Sequence, residues 1–314
     1  MKKFSLILLF FSFITIAKAN SKVENFIFLG GDSKQLKSLQ KKLNNKQIAG
    51  VQIVYTWKSL EPEKGKYNFT QIENDLKFLE SIHKKLFIQI QDRFFEPTAK
   101  NIPTYLLQEP QYNGGLTPQL DNPGENKALV SGWITQQWNT SVRQRYQKLL
   151  LALATKFDSR VYGINLPETA IDIDIKHDTT NFTCDKYFNA ELDNIRFARS
   201  VFKYSYVVQY VNFFPCEWNN DHNYMSKLFQ YAKKNNIGLG GPDVVPYKKS
   251  HMNNSYPFFH KYKGSLTLVA MAVQEPDSTY TNPKTKKHFT HQEFANFAKN
   301  YLGANIIFWS INNL

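Results

Sequence analysis

Short runs rich in β-branched and aromatic residues alternate with longer segments whose apolar residues recur at helical spacing, and the short runs number eight. No other feature constrains the fold as strongly, because parallel strands need a crossover between them and a helix is the usual crossover. The predicted strands are residues 25–29, 50–57, 86–91, 161–165, 206–211, 237–239, 266–273 and 305–309. The predicted helices are 33–43, 70–84, 142–157, 187–202, 224–235 and 291–301; in the second, Ile72, Leu76, Leu79 and Ile82 share one face. Eight such strands predict an α/β fold, a single-domain (β/α)8 TIM barrel, at a length usual for a barrel with extended loops. A doubly wound open sheet is the competing fold, but Gly30-Gly31-Asp32 after the first strand does not make the G-x-G-x-x-G turn. Irregular stretches at 93–140 and 242–263 interrupt the rhythm. No helix follows the eighth strand, so that helix is dispensable, its place is taken by the amino-terminal segment, or the sequence is truncated.

The amino terminus predicts export. Lys2 and Lys3 precede an apolar run from Leu6 to Ile16, and Ala17-Lys18-Ala19 fits a signal-peptidase site, giving a signal peptide over 1–19 and a barrel over 20–314. The run is shorter than the roughly 20 residues that span a bilayer, so no stable membrane insertion is expected after cleavage. The implied location is secreted or periplasmic. An oxidising compartment makes a bridge between the only two cysteines, Cys184 and Cys216, possible, and the strand layout puts both just past the ends of neighbouring strands. The formal charge of +13 becomes +10 without Lys2, Lys3 and Lys18. It reads as a solvated basic surface, or as attraction to anionic glycans, cell envelopes or acidic lipids. Nucleic acid is not an expected partner, since no compact basic and aromatic patch is present.

Barrel enzymes carry their reacting groups at the carboxyl ends of the strands. Here those ends read Tyr55-Thr56-Trp57, Gln89-Ile90-Gln91-Asp92-Arg93, Asn165-Leu166-Pro167-Glu168, Gln209-Tyr210-Val211-Asn212, Gly240-Gly241-Pro242-Asp243, Gln274-Glu275 and Trp309-Ser310. Carboxylates, amides and tryptophans on one rim suit a sugar, whose hydroxyls need fixed donors and acceptors and whose ring faces stack on aromatics. The predicted substrate-binding residues are Trp57, Gln91, Asp92, Arg93, Asn165, Gln209, Tyr210, Asp243 and Trp309. No cofactor or metal is called for. The seven histidines are dispersed, and neither a His-Glu-x-x-His helix nor a Gly-x-Ser-x-Gly elbow occurs.

The second-strand segment, residues 50–69, carries Trp57, then Glu61-Pro62, then Gly65, Tyr67 and Phe69. In this it resembles clan A glycoside hydrolases, the (β/α)8-barrel glycosidases of β-galactosidase and cellulase type. The resemblance implies an acid/base glutamate after the fourth strand and a nucleophilic glutamate after the seventh, the positions of Glu168 and Glu275. A retaining glycosidase needs two such carboxyls about 5–5.5 Å apart, one protonated to assist the leaving oxygen and one ionised to attack the anomeric carbon. The chain departs from the family where an Asn usually stands just before the acid/base; here Asn165 lies three residues earlier. The implied function is exported hydrolysis of O-glycosidic bonds in an oligo- or polysaccharide. The alternatives are a barrel that binds carbohydrate without turning it over, and an exported barrel with lyase or deacetylase chemistry.

Overall fold

The computed structural model describes residues 23–121 and 128–313, and the side chains of all of these but Glu275, Pro276 and Asn313. The export segment, 1–19, lies outside the described residues. In chain order the strands are β1 (Glu24–Phe28), β2 (Ile48–Thr56), β3 (Lys85–Gln91), β4 (Arg93–Phe94), β5 (Leu116–Asp121), β6 (Leu129–Thr135), β7 (Gly163–Leu166), β8 (Tyr206–Tyr210), β9 (Gly238–Gly241), β10 (Val269–Val273) and β11 (Ile306–Ser310). All but β4, β5 and β6 form one closed parallel barrel in the order β1, β2, β3, β7, β8, β9, β10, β11, with β11 pairing back onto β1. The predicted (β/α)8 barrel is therefore the observed fold.

The helices are α1 (Gln40–Leu43), α2 (Trp57–Leu60), α3 (Thr70–Ser81), α4 (Thr104–Gln108), α5 (Thr140–Phe157), α6 (Cys184–Val201), α7 (Tyr224–Lys234), α8 (Lys249–Met252), α9 (Ser255–Lys261) and α10 (His291–Asn296), which runs on as a π-helical turn over Phe297–Leu302. The longest show why they form. Asn139 caps α5 by accepting from the amides of Ser141 and Val142, and Val142, Tyr146, Leu149, Leu150, Leu153 and Phe157 make a buried stripe at helical spacing. The helix predicted over 33–43 instead breaks into a 3-10 turn, Ser33–Leu36, and the single turn α1. Three leucines on so short a segment bury too little to offset helix nucleation.

The barrel interior is filled by alternate residues of the strands. Phe26, Phe87 and Phe308 meet edge to face with ring centroids 5.2 to 6.3 Å apart, although β1, β3 and β11 are not all neighbours in the sheet. Each fully buried ring contributes about 1.5–3 kcal/mol. Nearer the mouth the filling turns polar, and the Gln52 amide donates across the barrel to the Tyr210 hydroxyl at 2.8 Å.

The stretch 93–140, expected to be irregular, holds a three-stranded antiparallel sheet in the order β4, β6, β5. Pro118 and Gly132 hid it, since both residues argue against a strand interior. Gly132 is required there: a Cβ would lie 1.6 Å from the carbonyl oxygen of Phe94 on β4. Gly240 in β9 is constrained likewise, with a Cβ that would fall 1.9 Å from the Ala270 carbonyl oxygen of β10. Replacing Gly240 by Ala forces neighbouring backbone apart, so Gly240→Ala is expected to cost about 3 kcal/mol. Thermal unfolding followed by circular dichroism should show a Tm lower by about 6–12 °C; an unchanged Tm would contradict the strand spacing.

Candidate active site

The carboxyl ends of the barrel strands surround a cavity of about 420 Å³, within the roughly 300–1,000 Å³ usual for small-molecule sites. Other surface cavities are as large, and position at the barrel mouth is what distinguishes this one. Phe28, Val54, Gln89, Gln91 and Tyr210 line it from β1, β2, β3 and β8. Glu168, Asp172, Asn212, Phe213, Pro242, Asp243 and Gln274 follow the ends of β7 to β10, and Phe95 and Gln119 come from the excursion after β3. The predicted residues Gln91, Glu168, Tyr210 and Asp243 are thus brought together.

Glu168 is held by the turns on either side of it. Gln209 donates its side-chain amide to the carbonyls of Pro167 and Tyr210. Thr169 donates its amide to the Tyr210 carbonyl at 3.1 Å and its hydroxyl to the Phe213 carbonyl at 2.8 Å. These bonds stitch the loop after β7 to the loop after β8 and hold Glu168 at the cavity wall. Burial, then the negative charge of Asp243, push its carboxyl up to about 7, while Arg93 and a hydrogen bond from Asn212 pull the other way. A carboxyl at that value can exist in either protonation state near neutral pH.

Asp243 is itself raised by burial, opposed by Lys248. His251 lies 3.8 Å from its Oδ2 and is held neutral, since burial lowers its imidazole to about 3. Beneath the loops, buried Asp277 accepts from the amides of Val244 at 3.1 Å and Gln274 at 3.0 Å, so one carboxylate ties the loop after β9 to the loop after β10. Burial and the charge of Asp243 raise Asp277 as well. Glu275 begins a 3-10 turn directly after Gln274, a cavity-lining residue; its side chain lies outside the described residues.

Several predicted residues sit elsewhere. Asn165 pairs in register with Gln89 and Val208, so its side chain faces the barrel interior below the cavity, where both of its polar atoms lack a partner. Gln209 has the opposite parity and supports the Glu168 turn from behind. Trp309 also points outward, stacking on His291 at 4.0 Å and donating to Asn25 at 2.8 Å. Asp92 accepts from Gln137 at 2.6 Å, and Arg93 donates to Glu191 of α6 at 2.6 Å; both are buried behind the barrel wall. Trp57 packs on Tyr146 and donates to Glu61 at 2.9 Å. Glu61 also accepts from the Gly65 amide and from Arg145, so the Trp, Glu-Pro and Gly segment ties the loop after β2 to α5.

The strand-end pattern puts Gln89 and Asn212 on the rim without marking them as sugar-binding residues, and it gives no sign of Asp172, Phe28, Phe95, Phe213 and Gln119 as cavity residues. Strict alternation along β3 from Gln91 points to Gln89, and Asn212 stands two residues beyond Tyr210 in the same parity. Gln119 and Phe95 had no signal, because they depend on the unrecognised sheet. The aromatic lining is Phe28, Phe95, Tyr210 and Phe213; no tryptophan lines the cavity among the described residues. The two cysteines form a disulfide with Cα atoms 6.2 Å apart, joining the start of α6 to the loop after β8.

No family model matches the chain, and no curated protein matches it in sequence. Solved structures match it in fold. The catalytic domain of a β-amylase from Paenibacillus polymyxa aligns with a TM-score of 0.62 at 10% identity, over 94% of each chain. Xylanase 10B from Thermotoga petrophila, solved with xylobiose, aligns at 0.55 and 9% identity over 92% of this chain and 82% of the other. A β-galactosidase from Bacillus circulans aligns at 0.59 and 11% over 92% of this chain and 50% of the other. The likeness is one of fold: a (β/α)8 barrel shared with these glycosidase structures.

Because Glu168 is raised above its ordinary value in the folded chain, the native state binds its proton more tightly than the unfolded chain does. That contribution to stability is present at low pH and is lost as pH rises toward 7. Glu168→Gln removes a carboxylate that is penalised only when ionised. It should raise Tm by about 2–4 °C at pH 8 and leave it nearly unchanged at pH 5. Equal shifts at both pH values in scanning calorimetry would show that the carboxyl is not destabilised in its ionised form.

Proposed function

We propose that the protein hydrolyses glycosidic bonds, with Glu168 as the general acid and base. The observation that carries this reading is a carboxyl at the barrel mouth, after the fourth barrel strand, raised to about 7 by burial and by a second carboxylate facing it. A group so raised is protonated often enough to donate to a leaving glycosidic oxygen and, once deprotonated, basic enough to activate water. The amide side chains of Gln89, Gln91, Asn212 and Gln274, with the rings of Phe28, Phe95, Tyr210 and Phe213, supply the hydrogen bonds and apolar faces that a sugar needs. The xylanase with the same fold was solved with xylobiose, which supports a carbohydrate ligand.

In the reading we favour, Glu275 is the nucleophile. It attacks the anomeric carbon as Glu168 protonates the departing oxygen; Glu168, now ionised, then takes a proton from water, whose oxygen displaces Glu275. Two carboxyls about 5–5.5 Å apart give retention of configuration. A second reading makes Asp243 the partner carboxylate, since after burial its charge does most to lift Glu168, ahead of that of Asp172. Export also belongs to the proposal: the residues 1–19 carry the signal pattern, and the Cys184–Cys216 disulfide suits an oxidising compartment. No helix among the described residues is long and apolar enough to cross a membrane.

Hydrolysis of aryl glycosides and polysaccharides, with the product anomer followed by NMR, tests the reading. Glu168→Gln is expected to lower kcat by about 10²–10⁴. A comparable loss in Glu275→Gln with retained configuration supports the double displacement; loss in Asp243→Asn with Glu275→Gln active supports the second reading. Binding without hydrolysis across the panel would overturn catalysis altogether. The pH profile gives a separate check. Activity should fall as pH rises through about 7 while the acid loses its proton. In Asp243→Asn, removal of the neighbouring negative charge should move that alkaline limb to lower pH.

A further inference from the structure

Charge divides sharply in this molecule. The chain carries a formal +13, yet among the described residues the charged ones lining the mouth cavity are Glu168, Asp172 and Asp243, with no Lys, Arg or His beside them. Two cations act on these carboxyls from outside the lining, Arg93 on Glu168 and Lys248 on Asp243, and each has a further partner. Arg93 is paired to Glu191 behind the wall at 2.6 Å. Lys248 lies over the ring of Tyr280, 4.9 Å from its centroid. Burial raises Asp172, as it does Asp243 and Glu168, and outweighs the pull of Arg93 and Lys248, so all three carboxyls remain partly desolvated, with no cation among the described lining residues.

Such a cavity has three kinds of complement: a metal ion, a proton, or a ligand that brings positive charge. The carboxylates do not converge as metal ligands do, and no group of three His, Cys, Asp or Glu residues able to hold a metal ion occurs among the described residues. A second observation points to an organic ligand. Gln89 is more than nine-tenths buried, lines the cavity, and has a side-chain oxygen without any hydrogen-bond partner. It offers an acceptor to a donor that enters the cavity, and a buried acceptor left unmatched is destabilising. A protonated amino group donates three hydrogen bonds and carries the missing charge.

We propose that the cavity is selective for a sugar bearing a free, protonated amino group, and selective against uronic acids and N-acylated sugars. This rests on the glycosidase reading of the same cavity. The amides and aromatic rings would hold the hydroxyls and ring faces, as for any sugar, while Asp172 and Asp243 would favour the ammonium by charge. An acidic sugar would place its carboxylate against the same groups, and an N-acetyl group would remove the charge that they recognise.

Calorimetric titration of the full-length wild-type protein at pH 6 tests the proposal with free monosaccharides as probes. Glucosamine, galactosamine and mannosamine are each compared with the parent hexose, its N-acetylated form and its uronic acid. In at least one configuration the amine should bind about tenfold more tightly than the other three, about 1.4 kcal/mol. Asp172→Asn should reduce that preference severalfold while changing affinity for the neutral hexose little, and Asp243→Asn should reduce the preference as well, with thermal melts confirming that both variants fold. Equal or weaker binding of every amine overturns the selectivity, as does a preference that survives both substitutions. Hydrolysis of neutral glycosides without amine preference overturns this proposal and leaves the glycosidase reading standing. Absence of both sugar binding and hydrolysis overturns both.

Discussion

The hydrogen-bonded seam between β1 and β11 is the constraint on which the rest of the molecule depends. Glu24 to Phe28 pair in register with Ile306 to Ser310, so residues almost three hundred positions apart in the chain close one sheet. Closure removes both sheet edges and fixes the tilt of every strand. It also confines alternate side chains to an interior too narrow for more than a few rings, which Phe26, Phe87 and Phe308 occupy. With that floor filled, the remaining interior positions near the mouth are free to be polar, and Gln52, Gln89, Asn165 and Tyr210 take them.

That polar layer explains why the cavity sits where it does. An apolar plug extended to the rim would be more stable, since Asn165 carries two buried polar atoms and Gln52 and Gln89 one each without partners. Groups of this kind are kept where they do something other than hold the fold together. The same holds for Glu168, whose ionised form is disfavoured by burial and by Asp243. Stability is supplied around the site instead: Asp277 ties two loops by backbone amides, Gln209 and Thr169 brace the Glu168 turn, and the disulfide joins α6 to the loop after β8. Weak points and braces alternate around the mouth, and that arrangement permits a raised carboxyl to persist in a folded chain.

How much of this was legible in the sequence depended on whether local or non-local physics decided the outcome. The eight strands were readable because buried parallel strands are apolar on both faces, and β10 is buried along its whole length. Which strand-end residues face the cavity was only half readable, because it follows from parity, and a shift of one residue reverses it. Tyr210 and Asp243 line the cavity. Gln209 and Trp309 fell on the other face of their strands, as the registers Gln209 with Leu166 and Trp309 with Val273 show. The sheet of β4, β5 and β6 was illegible, since Gly132 reads as a strand breaker until β4 is seen crossing against it.

The segment that carried the family resemblance turns out to teach caution about motifs. Trp57, Glu61 and Gly65 resemble a glycosidase signature, yet none of them lines the cavity. Glu61 is fully buried and accepts hydrogen bonds from the Trp57 indole, the Gly65 amide and Arg145, while Gly65 adopts a positive φ of 74° that favours glycine. What such a segment preserves is the way the chain leaves β2 and locks onto α5, a folding requirement of the barrel. It can outlast any particular chemistry, in the same way that the barrel itself is shared at about one residue in ten with β-amylase, xylanase and β-galactosidase structures. Function in this molecule rests instead on groups outside that segment: a raised Glu168, the carboxylates facing it, and the unpaired amides beneath them.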